Sequence, residues 1–219
     1  MNSVLPRGQR RPTTRKCALS GVAGVVALLC VTGTAAPAQA DGPQDTVASY
    51  HAGLLNVMKQ AKQLGYAGRT RKLAPLIGQA FDLPYLSRRI IGSKAWRALT
   101  SAQRNAYVGA FSRLTVATYA SRFKGFSGEK FVTSGEEKIG TKYVLVKTNV
   151  VKSSGGRVAL NYLMQQRGGA WKVIDVYLKG AISEVATRQS EFRAVLRSKG
   201  ANGLIRAIES KIAVVRRGA

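Results

Sequence analysis

The spacing of apolar residues changes twice along this chain, and this change constrains the fold more than any other feature. Up to Gly128, apolar residues recur every three or four positions, as they do in amphipathic helices. From residue 129 to residue 178 they alternate with other residues, as they do in strands, and from Ser183 onward the helical spacing returns. This order predicts an α+β fold in which helices pack on one face of an antiparallel sheet.

Local signals predict where the individual elements begin and end. The predicted helices before the sheet cover residues 45–64, 70–80, 85–91 and 100–123, and the predicted strands cover residues 129–138, 142–152, 157–167 and 170–178. Thr100 and Gln103 have the spacing of a capping box. Gly168 and Gly169 predict a tight hairpin between the last two strands. Ser183 is predicted to cap a helix over residues 184–199 that stops at Gly200, and Asn202 to cap a final helix.

The first forty residues have the pattern of an export signal. Five basic residues come first, namely Arg7, Arg10, Arg11, Arg15 and Lys16. An apolar run over residues 17–33 follows, and Ala38-Gln39-Ala40 stands before Asp41. This order predicts a signal peptide over residues 1–40, cleaved between Ala40 and Asp41, and a single exported domain over residues 41–219. The alternative is that the segment stays as an uncleaved N-terminal anchor.

The charge of the chain suggests an anionic partner. There are 35 Lys and Arg residues against 10 Asp and Glu residues, a net charge of +25. Without the five basic residues of the predicted signal peptide, 30 basic residues remain against 10 acidic ones, a net charge of +20. An exported protein does not meet intracellular nucleic acid, so we expect an anionic membrane surface or an acidic protein instead. One alternative is therefore a protein that binds such surfaces without a buried ligand.

The chain offers little for metal binding or catalysis. Both cysteines, Cys17 and Cys30, lie in the predicted signal peptide, and the single histidine, His51, is expected to be a solvated helix residue. A zinc site of Cys and His is therefore excluded, and neither a metal nor a cofactor is predicted. Asp82 is expected to cap the helix that starts at Pro84, and Asp175, in mid-strand, to pair with an arginine. The alternative is an isomerase-like enzyme that uses one of these carboxylates as a base.

Both faces of the central strands carry large apolar side chains. Tyr143, Leu145 and Val151 lie on one face, and Val144, Val146 and Val150 on the other. One interpretation is a core covered on both sides. The other is a curved sheet that, with the helices, encloses a cavity for an apolar ligand.

Several sequence segments, in their order and spacing, resemble the MlaC-type (toluene-tolerance) family of periplasmic lipid carriers. They are Phe81–Gly92, Trp96-Arg97, Thr100, Gln103-Arg104, Phe111–Tyr119, Gly169–Val176, Lys179–Ser183 and Arg188–Phe192. The resemblance extends from about residue 44 to residue 213. The segment Ala181–Val185 is most similar to the hopanoid-biosynthesis-associated HpnM branch.

The resemblance implies an NTF2-like fold with an apolar pocket between sheet and helices. It implies a carrier, not an enzyme, that moves phospholipid or a hopanoid-type lipid between an inner-membrane transporter complex and an outer-membrane acceptor, without a cofactor. Asp175 and Arg188 are expected to be structural or to lie on the headgroup side. The expected pocket residues are Phe81, Leu86, Ile90, Trp96, Phe111, Leu114, Tyr119, Val144, Val146, Leu160, Tyr162, Trp171 and Val173.

Overall fold

The computed structural model describes residues 42–219. The predicted signal peptide and its cleavage site at Ala40 and Asp41 lie outside the described residues. Among the helices of residues 42–219, none has the length and hydropathy that a membrane crossing requires.

In the described residues, five helices come before the strands along the sequence and one helix follows them. The first five helices are α1 (Pro43–Lys59), α2 (Ala61–Ala80), α3 (Leu83–Ile91), α4 (Ser93–Ala98) and α5 (Ser101–Arg122). The strands are β1 (Lys130–Ile139), β2 (Tyr143–Val151), β3 (Arg157–Arg167), β4 (Ala170–Leu178) and β5 (Ile182–Ser183), and α6 (Glu184–Arg217) follows them. The predicted α+β fold is confirmed, and its four predicted strands agree with β1 to β4 within two residues at each end. The short helix α4 and the two-residue strand β5 were not predicted.

Side-chain caps start three of the helices as predicted. The Thr100 hydroxyl accepts from the Gln103 amide at 3.1 Å while the Gln103 side chain accepts from the Thr100 amide at 3.0 Å. Asp82 Oδ1 accepts from the Tyr85 amide at 2.9 Å, and Ser183 Oγ accepts from the Ala186 amide at 2.9 Å. These bonds satisfy amides that have no partner within the helix.

Two glycines bend helices at positions where φ is positive. Gly200 has a φ of 64° within α6, which agrees with the predicted break. A separate last helix follows the kink at Gly200 as predicted, but it begins directly after Gly200, so the prediction that Asn202 caps it is wrong. Gly65 has a φ of 56° and lies within α2. The predicted first helix over residues 45–64 is therefore too long, since α1 ends at Lys59. Only glycine enters this backbone region without steric cost.

The five strands form an antiparallel meander in the order β1-β2-β3-β4-β5. The even-numbered side chains of β2, including Val144, Val146 and Thr148, are buried under the helices. The side chains of Tyr143 and Leu145 on the other face are only partly buried. The helices therefore cover one face of the sheet, and the alternative of a core covered on both sides is wrong.

A β-bulge interrupts the alternation in β4. The pairing passes from Leu163–Asp175 to Met164–Val173, which leaves Ile174 as an extra residue. Because of this shift, Val173 pairs with a residue of the covered face, and so does Val176, which pairs with Tyr162. A regular strand would have placed Val173 and Val176 on opposite faces.

Candidate functional site

An apolar cavity of about 260 Å³ lies between the sheet and helices α3, α5 and α6. The cavity is lined mainly by aliphatic and aromatic side chains, with charged residues contributed by α5, β4 and α6. The lining residues are Phe81, Leu86, Ile90, Phe111, Thr115, Thr118, Tyr119, Arg122, Phe123, Val150, Val158, Leu160, Val173, Asp175, Val176, Leu178, Glu184, Val185 and Arg188. A space of this composition suits a hydrocarbon ligand.

The structure brings together about half of the residues that the sequence placed in a pocket. Those that line this cavity are Phe81, Leu86, Ile90, Phe111, Tyr119, Leu160 and Val173, together with Asp175 and Arg188. Those that do not are Trp96, Leu114, Val144, Val146, Tyr162 and Trp171.

The six residues outside the cavity have other contacts. Leu114, Val144, Val146 and Tyr162 are buried in the core beside it. Trp96 lies in α4 with the guanidinium carbon of Arg104 at 5.6 Å from its ring centre. Trp171 lines a second, separate cavity.

Several residues that line the cavity were not predicted from the sequence, although helical spacing places three of them on the same face of α5 as Phe111. Thr115, Thr118 and Arg122 follow Phe111 at four, seven and eleven positions along α5, which places all four on one helix face. Thr115, Thr118 and Arg122 are polar or charged, whereas the pocket residues predicted on α5 were hydrophobic or aromatic. The remaining ones are Phe123, Val150, Val158, Val176, Leu178, Glu184 and Val185.

Asp175 is held by the start of α6 and not by an arginine, so the predicted ion pair is wrong. Its Oδ1 accepts from the amides of Val176 at 2.8 Å and Val185 at 3.1 Å, and its Oδ2 accepts from the Ser183 hydroxyl at 2.6 Å. These bonds hold the carboxylate at the amino end of α6, where unpaired amides favour a negative charge. Arg188 instead lies 3.6 Å from Glu191.

The two aspartates are both occupied by structural contacts. Asp82 caps α3 and forms an ion pair with Arg167, and it is not among the lining residues of the cavity. Asp175 lines the cavity, but its oxygens already accept three hydrogen bonds. A general base needs a carboxylate that is free to take a proton from a substrate. The geometry therefore gives no support to the isomerase-like alternative.

Charged residues border the cavity. Arg122 donates from both terminal nitrogens to Glu184 at 3.3 Å, and the side chains are 47% and 25% exposed. The Arg188 side chain is 14% exposed, and its guanidinium carbon lies 5.8 Å from the ring centre of Phe192. Two arginines are thus available near a cavity whose walls are mainly apolar.

Comparison with known proteins identifies the family. A family model described as MlaC protein matches residues 49–210. The chain belongs to the MlaC family. A curated relative, the intermembrane phospholipid transport system binding protein MlaC of Haemophilus influenzae, is 24% identical over 131 residues, which cover 56% of this chain and 61% of that protein. The chain therefore spans less than two thirds of the length of this MlaC relative.

A solved structure shares the fold of this MlaC-family chain. The phospholipid-binding protein from Ralstonia solanacearum, determined in complex with a phospholipid, is similar with a TM-score of 0.69 and 22% sequence identity. The similarity covers 80% of this chain and 99% of the Ralstonia chain. The assignment to the HpnM branch of the family stays a prediction.

An aromatic cluster around His51 adjoins the cavity in this MlaC-family fold. The prediction that His51 is solvated is wrong, because its side chain is 5% exposed. One ring nitrogen lies 2.8 Å from the Tyr162 hydroxyl, and the ring stacks on Phe131 at 4.3 Å between centres. Burial lowers the pKa of His51 from 6.5 to about 4, because the charged ring would lose its hydration.

The lowered pKa of His51 predicts that stability falls in mild acid. Between pH 6.5 and the folded-state pKa, the unfolded chain binds a proton that the folded chain excludes, so the free energy of unfolding falls as the pH is lowered. We expect a loss of about 1.5 kcal/mol between pH 6.5 and pH 5, because the slope rises from half of about 1.4 kcal/mol per pH unit at pH 6.5 towards that full value at lower pH. Urea unfolding at both pH values measures it. His51→Gln should remove this component, and an unchanged pH dependence in that variant would contradict the prediction.

Proposed function

We propose that this protein binds a phospholipid by its acyl chains and carries it through the periplasm. The apolar cavity between the sheet and helices α3, α5 and α6 carries the proposal. The names of its relatives agree with this, since one is a phospholipid transport binding protein and another was determined with a phospholipid bound.

The physical chemistry of the cavity favours acyl chains as the part of the ligand that is buried. Each methylene group that leaves water for apolar surroundings contributes about 0.8 kcal/mol, so a hydrocarbon chain gains more from this cavity than from any exposed patch. A volume of about 260 Å³ lies just below the range of ~300–1,000 Å³ that is typical of small-molecule sites. We infer that part of the acyl chains lies inside and that the headgroup stays outside.

The arginines at the cavity suit the phosphate of such a headgroup. Arg122 is half exposed and its partner Glu184 is accessible, so a phosphate can replace that carboxylate as the acceptor. Arg188 adds a second positive charge on α6. Asp175 positions the start of α6, from which both Glu184 and Arg188 project, and so acts on this region through the backbone.

The proposal includes the export route and the partners that the sequence suggested. Cleavage at Ala40 would release the domain into the periplasm, where an inner-membrane transporter complex and an outer-membrane acceptor exchange lipid with it. A net charge of +20 after cleavage favours approach to anionic membrane surfaces. The similarity of residues 181–185 to the HpnM branch makes a hopanoid-type lipid the second candidate cargo.

Extraction of the natively purified protein into organic solvent, followed by mass spectrometry, tests the proposal. We expect about one two-chain phospholipid per protein molecule, because the proposed ligand binds by its acyl chains in the cavity that Arg122 and Arg188 line. A hopanoid in place of phospholipid would support the second cargo. Protein that is folded yet carries no lipid, and takes none from phospholipid vesicles, would contradict the carrier function.

A further inference from the structure

A second cavity lies close to the first, and nothing so far assigns it a role. Its volume is about 250 Å³, and it lies between α1, α2 and the β3–β4 turn. Tyr50, Leu76, Ala80 and Trp171 contribute its apolar wall. Ser49 and Gln79, both exposed, also line it, so this cavity meets the surface on a side formed by α1 and α2.

Three aromatic rings separate the two cavities. Tyr50 lines the second cavity, while Phe81 and Tyr119 line the first. The ring centres are 5.3 Å apart for Tyr50 and Phe81, 6.0 Å for Tyr50 and Tyr119, and 5.9 Å for Phe81 and Tyr119, all in edge-to-face contact. Ala80 lines the second cavity and the next residue, Phe81, lines the first. The partition is therefore formed by Tyr50 on the side of the second cavity and by Phe81 and Tyr119 on the side of the first, in direct contact.

The partition is fixed in place by its surroundings. Phe81 pairs with Val173 of β4 in a parallel bridge, and the Asp82 amide donates to the Val173 carbonyl at 3.2 Å. Tyr50 and Phe81 are 3% and 5% exposed. Mutual edge-to-face packing favours the present orientation of the rings. A ligand in the first cavity thus meets a wall that is anchored to the sheet.

We propose that Tyr50, Phe81 and Tyr119 form a floor that sets the length of the acyl chain that the first cavity accepts. The second cavity is then the space that a longer chain would enter if this floor were opened. The inference rests on the proposed lipid-binding function. An acyl chain that reaches the floor cannot bury further methylene groups. The extra methylene groups of a longer chain therefore stay in water at the opening of the first cavity. Each methylene that gains an apolar environment raises affinity about fourfold.

Competition between lipids of different length tests the role of the floor. The purified protein is incubated with vesicles of phosphatidylglycerol that contain equal amounts of two-chain species with 14, 16, 18 and 20 carbons per chain, and the retained lipid is extracted and identified by mass. The double variant Tyr50→Ala/Phe81→Leu reduces the side chains on both sides of the partition and is expected to raise the ratio of 20-carbon to 16-carbon lipid at least fourfold over the unsubstituted protein. Phe81→Leu alone is a milder variant and is expected to shift the ratio in the same direction.

Phe192 supplies the matched control. It is 2% exposed and lines neither cavity, and its aromatic contacts are with Tyr107 at 6.4 Å and Phe111 at 6.5 Å. Phe192→Leu removes the same atoms as Phe81→Leu without opening the partition, so we expect the ratio to stay within twofold of the unsubstituted protein. A ratio that is unchanged in both floor variants, or raised equally in Phe192→Leu, would overturn the inference while lipid carriage stands. Failure of the unsubstituted protein to take up lipid of any length would overturn the proposed function, and this inference with it.

Discussion

Replacement of Val150 by Trp is expected to reduce the lipid that co-purifies with the protein at least tenfold. Val150 lines the first cavity near the end of β2, and it is only partly buried, so the strand has room for a change there. The indole would project into the cavity of about 260 Å³ and take up space that the acyl chains need, so more of their methylene groups would have to remain in water. Trp is well suited to strands, so the sheet itself should persist.

The neighbouring valine gives the matched control for this experiment. Val151 belongs to the same strand and is also partly buried, but it points to the other face and does not line the cavity. Val151→Trp should therefore retain lipid at the level of the unsubstituted protein. Lipid mass per protein, with circular dichroism to confirm the fold, measures both variants. Equal lipid in Val150→Trp and Val151→Trp would show that this cavity does not hold the chains.

Replacement of Asp175 by Ala is expected to lower the free energy of unfolding by about 4 kcal/mol. Asp175 is 2% exposed, and its carboxylate accepts from two buried amides and one hydroxyl. The alanine variant would leave the amides of Val176 and Val185 without partners and would remove a negative charge from the amino end of α6. Urea unfolding at neutral pH measures the loss, and failure of the variant to fold agrees with it.

Two further variants distinguish this role from a general effect of removing a carboxylate. Asp175→Asn keeps one acceptor oxygen and should lose about half as much stability. Asp45 accepts from the exposed Gly42 amide at 3.0 Å at the start of α1, and Asp45→Ala should cost less than about 1 kcal/mol. A loss below about 1 kcal/mol in Asp175→Ala would contradict the structural role and would return that carboxylate to consideration as a catalytic base.

Much of the site was predictable because part of it follows from local periodicity. Phe111, Thr115, Thr118 and Arg122 share one face of α5, and helical spacing alone places them together. Periodicity did not show which of the strand residues line the cavity. Val144, Val146 and Leu160 lie on the same face of the sheet, yet only Leu160 lines the cavity, while the two valines are buried in the core. Periodicity identifies a buried face but not the part of that face over which the packing leaves a void.

Local sequence patterns were sufficient to predict the type and order of the longer elements and the caps at Asp82, Thr100 and Ser183. These depend on interactions within a few residues, which the local pattern specifies. Three features arise only in the folded structure, namely the bulge at Ile174, the contact of Asp175 with α6 and the burial of His51 against Tyr162. Each of these joins segments that are distant along the chain or replaces a regular strand by an irregular one. Their stability comes from packing and hydrogen bonds that exist only once helices and sheet have met.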